Sequence, residues 1–404
     1  MRAYYGRSVS SATDVEARVA RLTRRLAQLD PGARSATAET RIVRAPGRIN
    51  LIGEHTDYNL GYVLPAAISL ETWIASVPRD DGRAVIVSMQ EAGEASFSVH
   101  DPGTPTRTWS DYVAGVAITL GSRGVQLRGV TAVIDSAIPL GSGLSSSAAL
   151  ELASAWTLSL HTPPPVDPLA LARAAQQAEN EYVGVQCGLM DQFASAFGRA
   201  GHALLLDCRS FDHQSIPLPA SVRLVAIDTR TPHRLSASEY NARRTRCERG
   251  VAVLATLHPG VESLRDVTPE MLRDAAYLLD PDTLRCCRHV VDENQRVLDA
   301  AHALVNGQLE LVGQLMAASH ASLRDLYHVS STELDALVEI ASSVRGVVGA
   351  RMTGAGFGGC TVNLVRPDAV EELQAAVTAQ YPPRSGRQAA VYVLDAVDGA
   401  GVVE

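Results

Sequence analysis

Three consecutive serines follow two closely spaced glycines in Ile138-Pro139-Leu140-Gly141-Ser142-Gly143-Leu144-Ser145-Ser146-Ser147-Ala148-Ala149, and this run dictates what can stand on either side of it. Upstream, Gly129 to Ser136 alternates as a strand should, with Val130, Ala132 and Ile134 on one face. Downstream, a helix is predicted from about Ala148 to Leu160, stopped by Pro163-Pro164-Pro165. A strand-to-helix loop of this kind leaves backbone N–H groups unpaired and points the positive end of the helix dipole outward. Glycine lets the backbone approach a ligand closely, and serine hydroxyls bond phosphate oxygens or, for one of them, Mg²⁺. A plain capped helix needs one serine, so the run reads as a phosphate site.

A second dense run is Arg44-Ala45-Pro46-Gly47-Arg48-Ile49-Asn50-Leu51-Ile52-Gly53-Glu54-His55-Thr56-Asp57-Tyr58. Charged groups are seldom buried without partners, so Arg48, Glu54, His55 and Asp57 beside apolar Ile49, Leu51 and Ile52 suggest a polar ligand on a rigid floor. Asp57-Tyr58-Asn59 taken alone is an ordinary turn.

Composition narrows the chemistry. All 36 basic residues are arginine, with no lysine among the 404 residues. A P-loop, a protein kinase and a Schiff-base enzyme each need a lysine, so none of these can be built here. Phosphate chemistry must rely on backbone N–H groups, helix dipoles, arginine and metal ions. A formal charge of −8, with no interleaving of basic and aromatic residues, argues against nucleic acid. The six cysteines show neither C-x-x-C spacing nor a secreted framework and are expected to be reduced, buried thiols. The first twelve residues lack the apolar core of a signal peptide, and no run of about 18 apolar residues exists for a membrane span, so a cytoplasmic protein is expected.

Hydrophobic content of 46% supplies a large core, and the length suits two domains, divided near residue 210 into 1–210 and 211–404. Residues 13 to 29 read as an amphipathic helix, a lid or a flank. From Arg41 to His100 short β-like segments recur: Ile42-Val43, Ile49 to Ile52, Tyr62 to Leu64, Trp73 to Ala75, Val85 to Val87 and Phe97 to Val99. Helical spacing resumes over 109–120 and from about Pro168 to Val183. Strands are expected at Ala203 to Asp207 and Val222 to Asp228, helices through 241–343, strand, glycine loop and strand over 347–365, and a final strand near Val391 to Leu394.

Gly354-Ala355-Gly356-Phe357-Gly358-Gly359 contains G-x-G-x-x-G, yet Cys360 to Val365 after it is β-branched and apolar, so the loop joins two strands and cannot open a dinucleotide-binding helix. It reads as a tight turn set against the first site, with Cys360 in the core. Asp191, between Met190 and Phe193, is by itself an N-cap candidate, and Trp109, Tyr112 and Tyr240 are core aromatics by default.

Taken together these motifs resemble the GHMP small-molecule kinases and, within them, the galactokinase family. Pro46 to Tyr58 is similar to that family's sugar signature, and Gly188 to Phe193, Ser238 to Tyr240, His289 to Val291, Ser322 to Asp325 and Arg351 to Thr361 are similar to further segments, so the resemblance runs from about residue 40 to the end. It implies an α+β, two-domain GHMP kinase fold: an N-terminal mixed sheet with helices, a C-terminal ferredoxin-like α/β sandwich, and the active site in the cleft between them. It also implies Mg²⁺-dependent transfer of the γ-phosphate of ATP to the anomeric hydroxyl of galactose, by a monomer with no membrane partner. On this resemblance Asp191 is the candidate base, and Arg48 either lowers its pKa or stabilises charge on the transferring phosphoryl group. Glu54, His55, Asp57, Gly188 and Tyr240 would hold the sugar. Gly141, Ser142, Gly143, Leu144, Ser145, Ser146 and Ser147 would cradle the phosphates, with Ser147 and Glu179 as Mg²⁺ ligands and Trp109 beside the adenine. Ser142 stands in a slot that is frequently glycine and is expected to tune nucleotide affinity.

Three rival readings are compatible with parts of the sequence. A non-catalytic sugar and ATP sensor would carry a complete catalytic set unused. A glycoside hydrolase built on two of Glu54, Asp57 and Asp191 would leave the serine loop without a purpose. A kinase for N-acetylgalactosamine or a pentose differs only in pocket shape.

Overall fold

The computed structural model describes residues 12–30, 40–161, 166–231 and 236–403, so the expected Pro163–Pro165 stop lies outside the described residues. The first domain is organised by a six-stranded mixed sheet in the order β13-β1-β3-β6-β4-β5. Its members are β1 (Arg41–Asn50), β3 (Pro65–Arg79), β4 (Arg83–Ser88), β5 (Glu94–Ser98), β6 (Gly129–Ser136) and β13 (Gly401–Val402). Every pairing is antiparallel except β4 with β6. The alternation read in β6 is realised: Val130, Ala132 and Ile134 face one core, whereas Val133 faces another with Leu22 and Leu26 of helix α1 (Ala12–Leu29). Helix α1 therefore covers the back of the sheet. On the other face α2 (Ser110–Ser122), α3 (Ser146–Leu160) and α4 (Pro168–Ala178) pack through Val116, Leu120, Leu152 and Leu171.

The segments Ile42-Val43 and Ile49-Asn50 are not separate strands. They are the two halves of β1, joined across a register shift between Pro46 and Arg48. Such an irregularity re-aims a side chain. The next helix, α5 (Met190–Phe197), begins the stretch that carries Asp191. A three-stranded sheet follows, β2 (Tyr62–Val63), β7 (His202–Asp207) and β8 (His213–Pro217), with the division expected near 210 at the β7–β8 turn.

The remaining chain forms an antiparallel sheet in the order β10-β11-β9-β12, from β9 (Arg223–Asp228), β10 (Val347–Met352), β11 (Cys360–Val365) and β12 (Ala390–Leu394). Between β9 and β10 lie α6 (Ser236–Leu257), α7 (Pro269–Ala275), α8 (Pro281–Val305), α9 (Leu309–Ser322) and α10 (Thr332–Ser343), and between β11 and β12 lies α11 (Val370–Ser385). This is the ferredoxin-like strand order. Both faces are covered: Val225 and Ile227 pack on α10 and α11, while Leu224 and Ala226 face Val297, Leu304 and Met316 of α8 and α9. Burial on two faces explains the unbroken apolar run in β9. That second core also takes in Ile49, Leu51, Ile52 and Leu144, so one hydrophobic mass supports both the sugar signature and the phosphate loop.

Two expectations need correcting at the C-terminus. β12 is not the final strand, because Gly401–Val402 returns to pair with β1 at Val43 and Arg44. Residues 370–385, to which the sequence reading assigns nothing, form α11, with Pro382 and Pro383 accommodated in its last turn.

Candidate active site

The phosphate loop reaches α3 through Ser145, which sits at φ +60 and makes no side-chain cap bond to the helix. Its hydroxyl instead donates to Oδ2 of Asp191 at 2.5 Å. The first-turn N–H groups of a 15-residue helix are thus left without a side-chain cap, the arrangement that binds anions. Leu144 is buried in the core. Ser142 is also buried, and its Oγ donates to the Pro139 carbonyl at 2.8 Å, so only its backbone can face a phosphate. The second glycine loop meets the first: a Cβ on Gly354 would lie 3.2 Å from the Gly143 carbonyl. Close approach has a price at Gly47 too, where a Cβ would stand 2.5 Å from the Leu144 carbonyl. Only glycine lets β1 come that near the loop.

The register shift beside Gly47 turns Arg48 toward α5. Its Nε and Nη2 each donate to Asp191, to Oδ1 and Oδ2, at 2.8 Å, and Nη1 donates to the Gly143 carbonyl at 2.6 Å. One planar guanidinium thus fixes both the candidate base and the phosphate loop, which a lysine could not do bidentately. Asp191 lies in the first turn of α5, where its charge suits the helix dipole.

Arg48 and Asp191 line a cavity of about 200 Å³ together with Glu54, His55, Asp57, Gly188 and Tyr240. All the expected sugar residues therefore converge, from the turn after β1, the segment before α5, and α6. The volume suits a single sugar ring rather than a drug-sized ligand of roughly 300 Å³ or more. Burial pushes Asp57 up to about 6, the Asp191 charge adds to this, and Arg48 partly opposes it. His55 stands in the left-handed region at φ 63, and burial depresses its imidazole to about 3, so the ring is neutral.

Glu54 is committed mainly to the protein. Its Oε1 accepts from Thr353 Oγ1 at 3.2 Å and from the Gly354 N–H at 3.1 Å, and Oε2 pairs with the buried Arg351. Burial raises its carboxyl despite that arginine. Arg351 also donates to the Leu51 carbonyl at 3.1 Å, tying the sugar turn to the second glycine loop. Sequence reasoning did not single out Arg351, although an arginine inside the apolar strand Val347–Met352 was the available signal. Trp109, expected beside the adenine, does not line the Arg48–Asp191 cavity; it packs on the α2–α3 core and lines a separate cavity of about 320 Å³ with Phe97 and Tyr182.

Glu179 begins a π-helical turn, Glu179–Val183, that extends α4 toward the loop. Burial and the Asp191 charge push it up to about 6, against hydrogen bonds from Cys187, Ser147 and Gln192. Gln192 Nε2 bridges Glu179 at 2.8 Å and the fully buried Glu151 at 3.0 Å, a carboxylate the motifs gave no hint of. Among the described residues no cluster of three or more His, Cys, Asp or Glu could hold a metal. Ser147 and Glu179 offer two hard oxygen donors beside the phosphate loop. Such a sparse set fits Mg²⁺, which keeps waters and phosphate oxygens as its other ligands.

The curated galactokinase of Chloroflexus aggregans is 48% identical to the chain over 364 residues, covering 90% of this chain and 93% of that protein. The chain belongs to the galactokinase family. Residues 34–78 match the galactokinase galactose-binding signature, 111–199 the GHMP kinase N-terminal domain and 300–383 the GHMP kinase C-terminal domain. The galactokinase of Lactococcus lactis, solved with galactose, superposes with a TM-score of 0.89 at 36% identity, covering 95% of this chain and 99% of that one. Mevalonate kinase from Methanococcus jannaschii shares the fold alone, with a TM-score of 0.63 at 17% identity and coverage of 88% and 98%. The matched galactose-binding signature, residues 34–78, includes the turn that carries Glu54, His55 and Asp57 here. Among the described residues no helix is long and apolar enough to cross a membrane.

Proposed function

We propose that this chain is a galactokinase that transfers the γ-phosphoryl group of ATP to the anomeric hydroxyl of galactose, giving α-D-galactose 1-phosphate. The observation that carries the reading is the bidentate Arg48–Asp191 pair, which stands on the wall of the sugar cavity and reaches Gly143 of the phosphate loop. Residues 1–210 supply the sugar signature and the phosphate loop, and residues 211–404 supply Tyr240 and the second glycine loop.

Asp57 accepts sugar hydroxyls in fixed geometry, so an inverted or missing hydroxyl leaves a buried carboxylate unsatisfied and is rejected. Asp191 receives bonds from Arg48 and Ser145, which hold it against the anomeric hydroxyl. As the γ-phosphorus–oxygen bond of ATP breaks and the bond to the sugar oxygen forms, the hydroxyl proton passes to Asp191. In a largely dissociative transfer, orientation and charge stabilisation outweigh proton removal, and Asp191 then acts chiefly by positioning. Arg48 sets positive charge between that carboxylate and the loop. The phosphates rest on the N-terminus of α3 and the glycine backbone. Ser147 and Glu179 would hold Mg²⁺, which when bound neutralises phosphate charge. A monomer acting in the cytoplasm, where ATP is supplied, belongs to the same reading.

The test is ADP release by purified protein with Mg-ATP and galactose, glucose, N-acetylgalactosamine or arabinose in separate reactions. Release with galactose alone is expected. Binding of galactose and ATP without ADP would replace this reading with a sensor, and release with another sugar would move the substrate within the same fold.

A further inference from the structure

Two segments singled out in the sequence, His289 to Val291 and Ser322 to Asp325, take no part in the sugar chemistry above, yet they meet behind the sugar turn. His289 on α8 and Ser322 at the end of α9 are both buried, with Ser322 Oγ 2.8 Å from His289 Nδ1. On the other side of the ring, Nε2 lies 3.2 Å from the backbone carbonyl of Glu54. A carbonyl can only accept, so Nε2 carries a proton and donates it. Burial depresses this imidazole to about 4, so the ring is neutral. A neutral ring protonated at Nε2 leaves Nδ1 to accept from the Ser322 hydroxyl.

The carbonyl held in this way belongs to the peptide just before His55, which stands in the left-handed region at φ 63. That conformation is uncommon for any residue but glycine and persists only where the surroundings hold it. The peptide just after His55 is held as well, because Asn59 Nδ2 donates to the His55 carbonyl at 2.8 Å. The φ and ψ of His55 relate these two peptide planes, so the two side-chain donors fix both angles. Asn59 belongs to the turn itself, whereas His289 reaches it from 235 positions away. The same helix grips the turn at its two ends: Glu293 Oε1 accepts from the Gly53 N–H at 3.0 Å, and Asn294 Oδ1 accepts from the Tyr62 N–H at 2.9 Å. The Tyr327 ring lies between those of His55 and His289, 4.6 and 4.5 Å from their centroids, and its hydroxyl is 2.8 Å from that of Tyr58.

We propose that His289, oriented by Ser322, is a positioning residue for the sugar site: its Nε2–H anchors the Glu54 carbonyl and so holds His55 in the left-handed conformation that sets His55 and Asp57 on the cavity wall. His289 lies outside the set of residues lining that cavity and acts through the backbone alone. Without the anchor His55 relaxes toward ordinary backbone angles, and the population with an aligned turn falls roughly five- to hundredfold, the weight of one strained residue. The phosphate loop is held separately, by Arg48 through the Gly143 carbonyl. The inference rests on the sugar-kinase reading for the identity of the ligand.

The test combines ¹⁵N NMR of the histidine-labelled protein with kinetics of three variants. The wild-type ring, assigned by its loss in His289→Gln, should show a protonated Nε2 and an accepting Nδ1. His289→Leu should raise the galactose KM roughly five- to hundredfold while the ATP KM holds. His289→Gln, which keeps a donor in the same place, should stay within about threefold of wild type. Ser322→Ala removes only a hydroxyl and serves if His289→Leu does not fold; it should shift the Nδ1 resonance and raise the galactose KM about threefold or more, again with the ATP KM held. A wild-type ring protonated at Nδ1, an unchanged galactose KM in the folded variants, or galactose and ATP KM rising together would overturn the inference. Absence of galactose phosphorylation by the wild-type chain would overturn the kinase reading instead, and the ¹⁵N spectrum would still decide whether His289 anchors the turn.

Discussion

Gly188 is packed so tightly against Asp57 that a Cβ at position 188 would lie 2.1 Å from Oδ2 of that carboxylate. The neighbour cannot yield without leaving its place in the cavity. Gly188→Ala should therefore lower kcat/KM for galactose at least about a hundredfold, or about 2.7 kcal/mol, while nucleotide binding survives. Steady-state kinetics with each substrate varied in turn would check this, and an alanine variant with wild-type galactose kinetics would remove Asp57 from the sugar site.

Asp191→Ala deletes the group that Arg48 and Ser145 hold in place. Turnover should fall by about a thousandfold or more, with ATP affinity retained because the loop keeps its helix terminus. Nucleotide titration beside single-turnover assays separates the two effects. A fully active Asp191→Ala protein would refute the assignment.

Asp57 carries a pH signature. Its carboxyl is pushed up from 3.8 to about 6, so it takes up a proton as pH falls through about 6 and loses its acceptor character. Galactose kcat/KM should fall on the acid side of about pH 6. For stability the sign is opposite to that of a salt-bridged carboxylate: above pH 6 the native state holds an ionised group that is easier to ionise when unfolded. Asp57→Asn should thus stabilise the fold at neutral pH by up to about 3 kcal/mol while losing galactose binding. Urea denaturation at pH 7.5 decides this, and a destabilised variant would count against it.

Arg351 and Glu54 form a pair buried at the junction of the two glycine-rich regions. Arg351→Met leaves a carboxylate buried without its cation and should cost about 3–5 kcal/mol. Adding Glu54→Gln should recover part of that loss. A double-mutant cycle with no coupling would show that the pair does not hold the loops together.

Ser142→Gly should leave the ATP KM within about twofold of wild type, since the Ser142 hydroxyl is spent on the Pro139 carbonyl. Ser147→Ala and Glu179→Gln should instead raise the Mg-ATP requirement, read from Mg²⁺ titrations after EDTA treatment.

Much of the candidate site is legible in the sequence, because the phosphate loop and the sugar signature are local. Gly141 to Ser147 and Glu54 to Asp57 each act within a few residues, and strand β6 and helix α3 follow from periodicity and punctuation around them. What local pattern could not supply was partnership. Arg351 meets Glu54 across 297 positions of sequence, Tyr327 meets Tyr58 across 269, and neither arrangement leaves a spacing to read. The two halves of β1 look separate because Pro46-Gly47 resembles a turn, and only the pairing with β3 shows it to be a register shift. Helix α11 was hidden by Pro382 and Pro383, which its final turn tolerates. β13 contributes two residues, too few for any alternation to declare itself.

Phosphorus NMR of the wild-type protein mixed with Mg-ATP and galactose tests the central claim most directly. The account predicts that the γ-phosphate resonance of ATP is replaced by ADP and by an equal amount of α-D-galactose 1-phosphate. An unchanged ATP spectrum, or phosphate released as the free ion with no sugar phosphate, would contradict it.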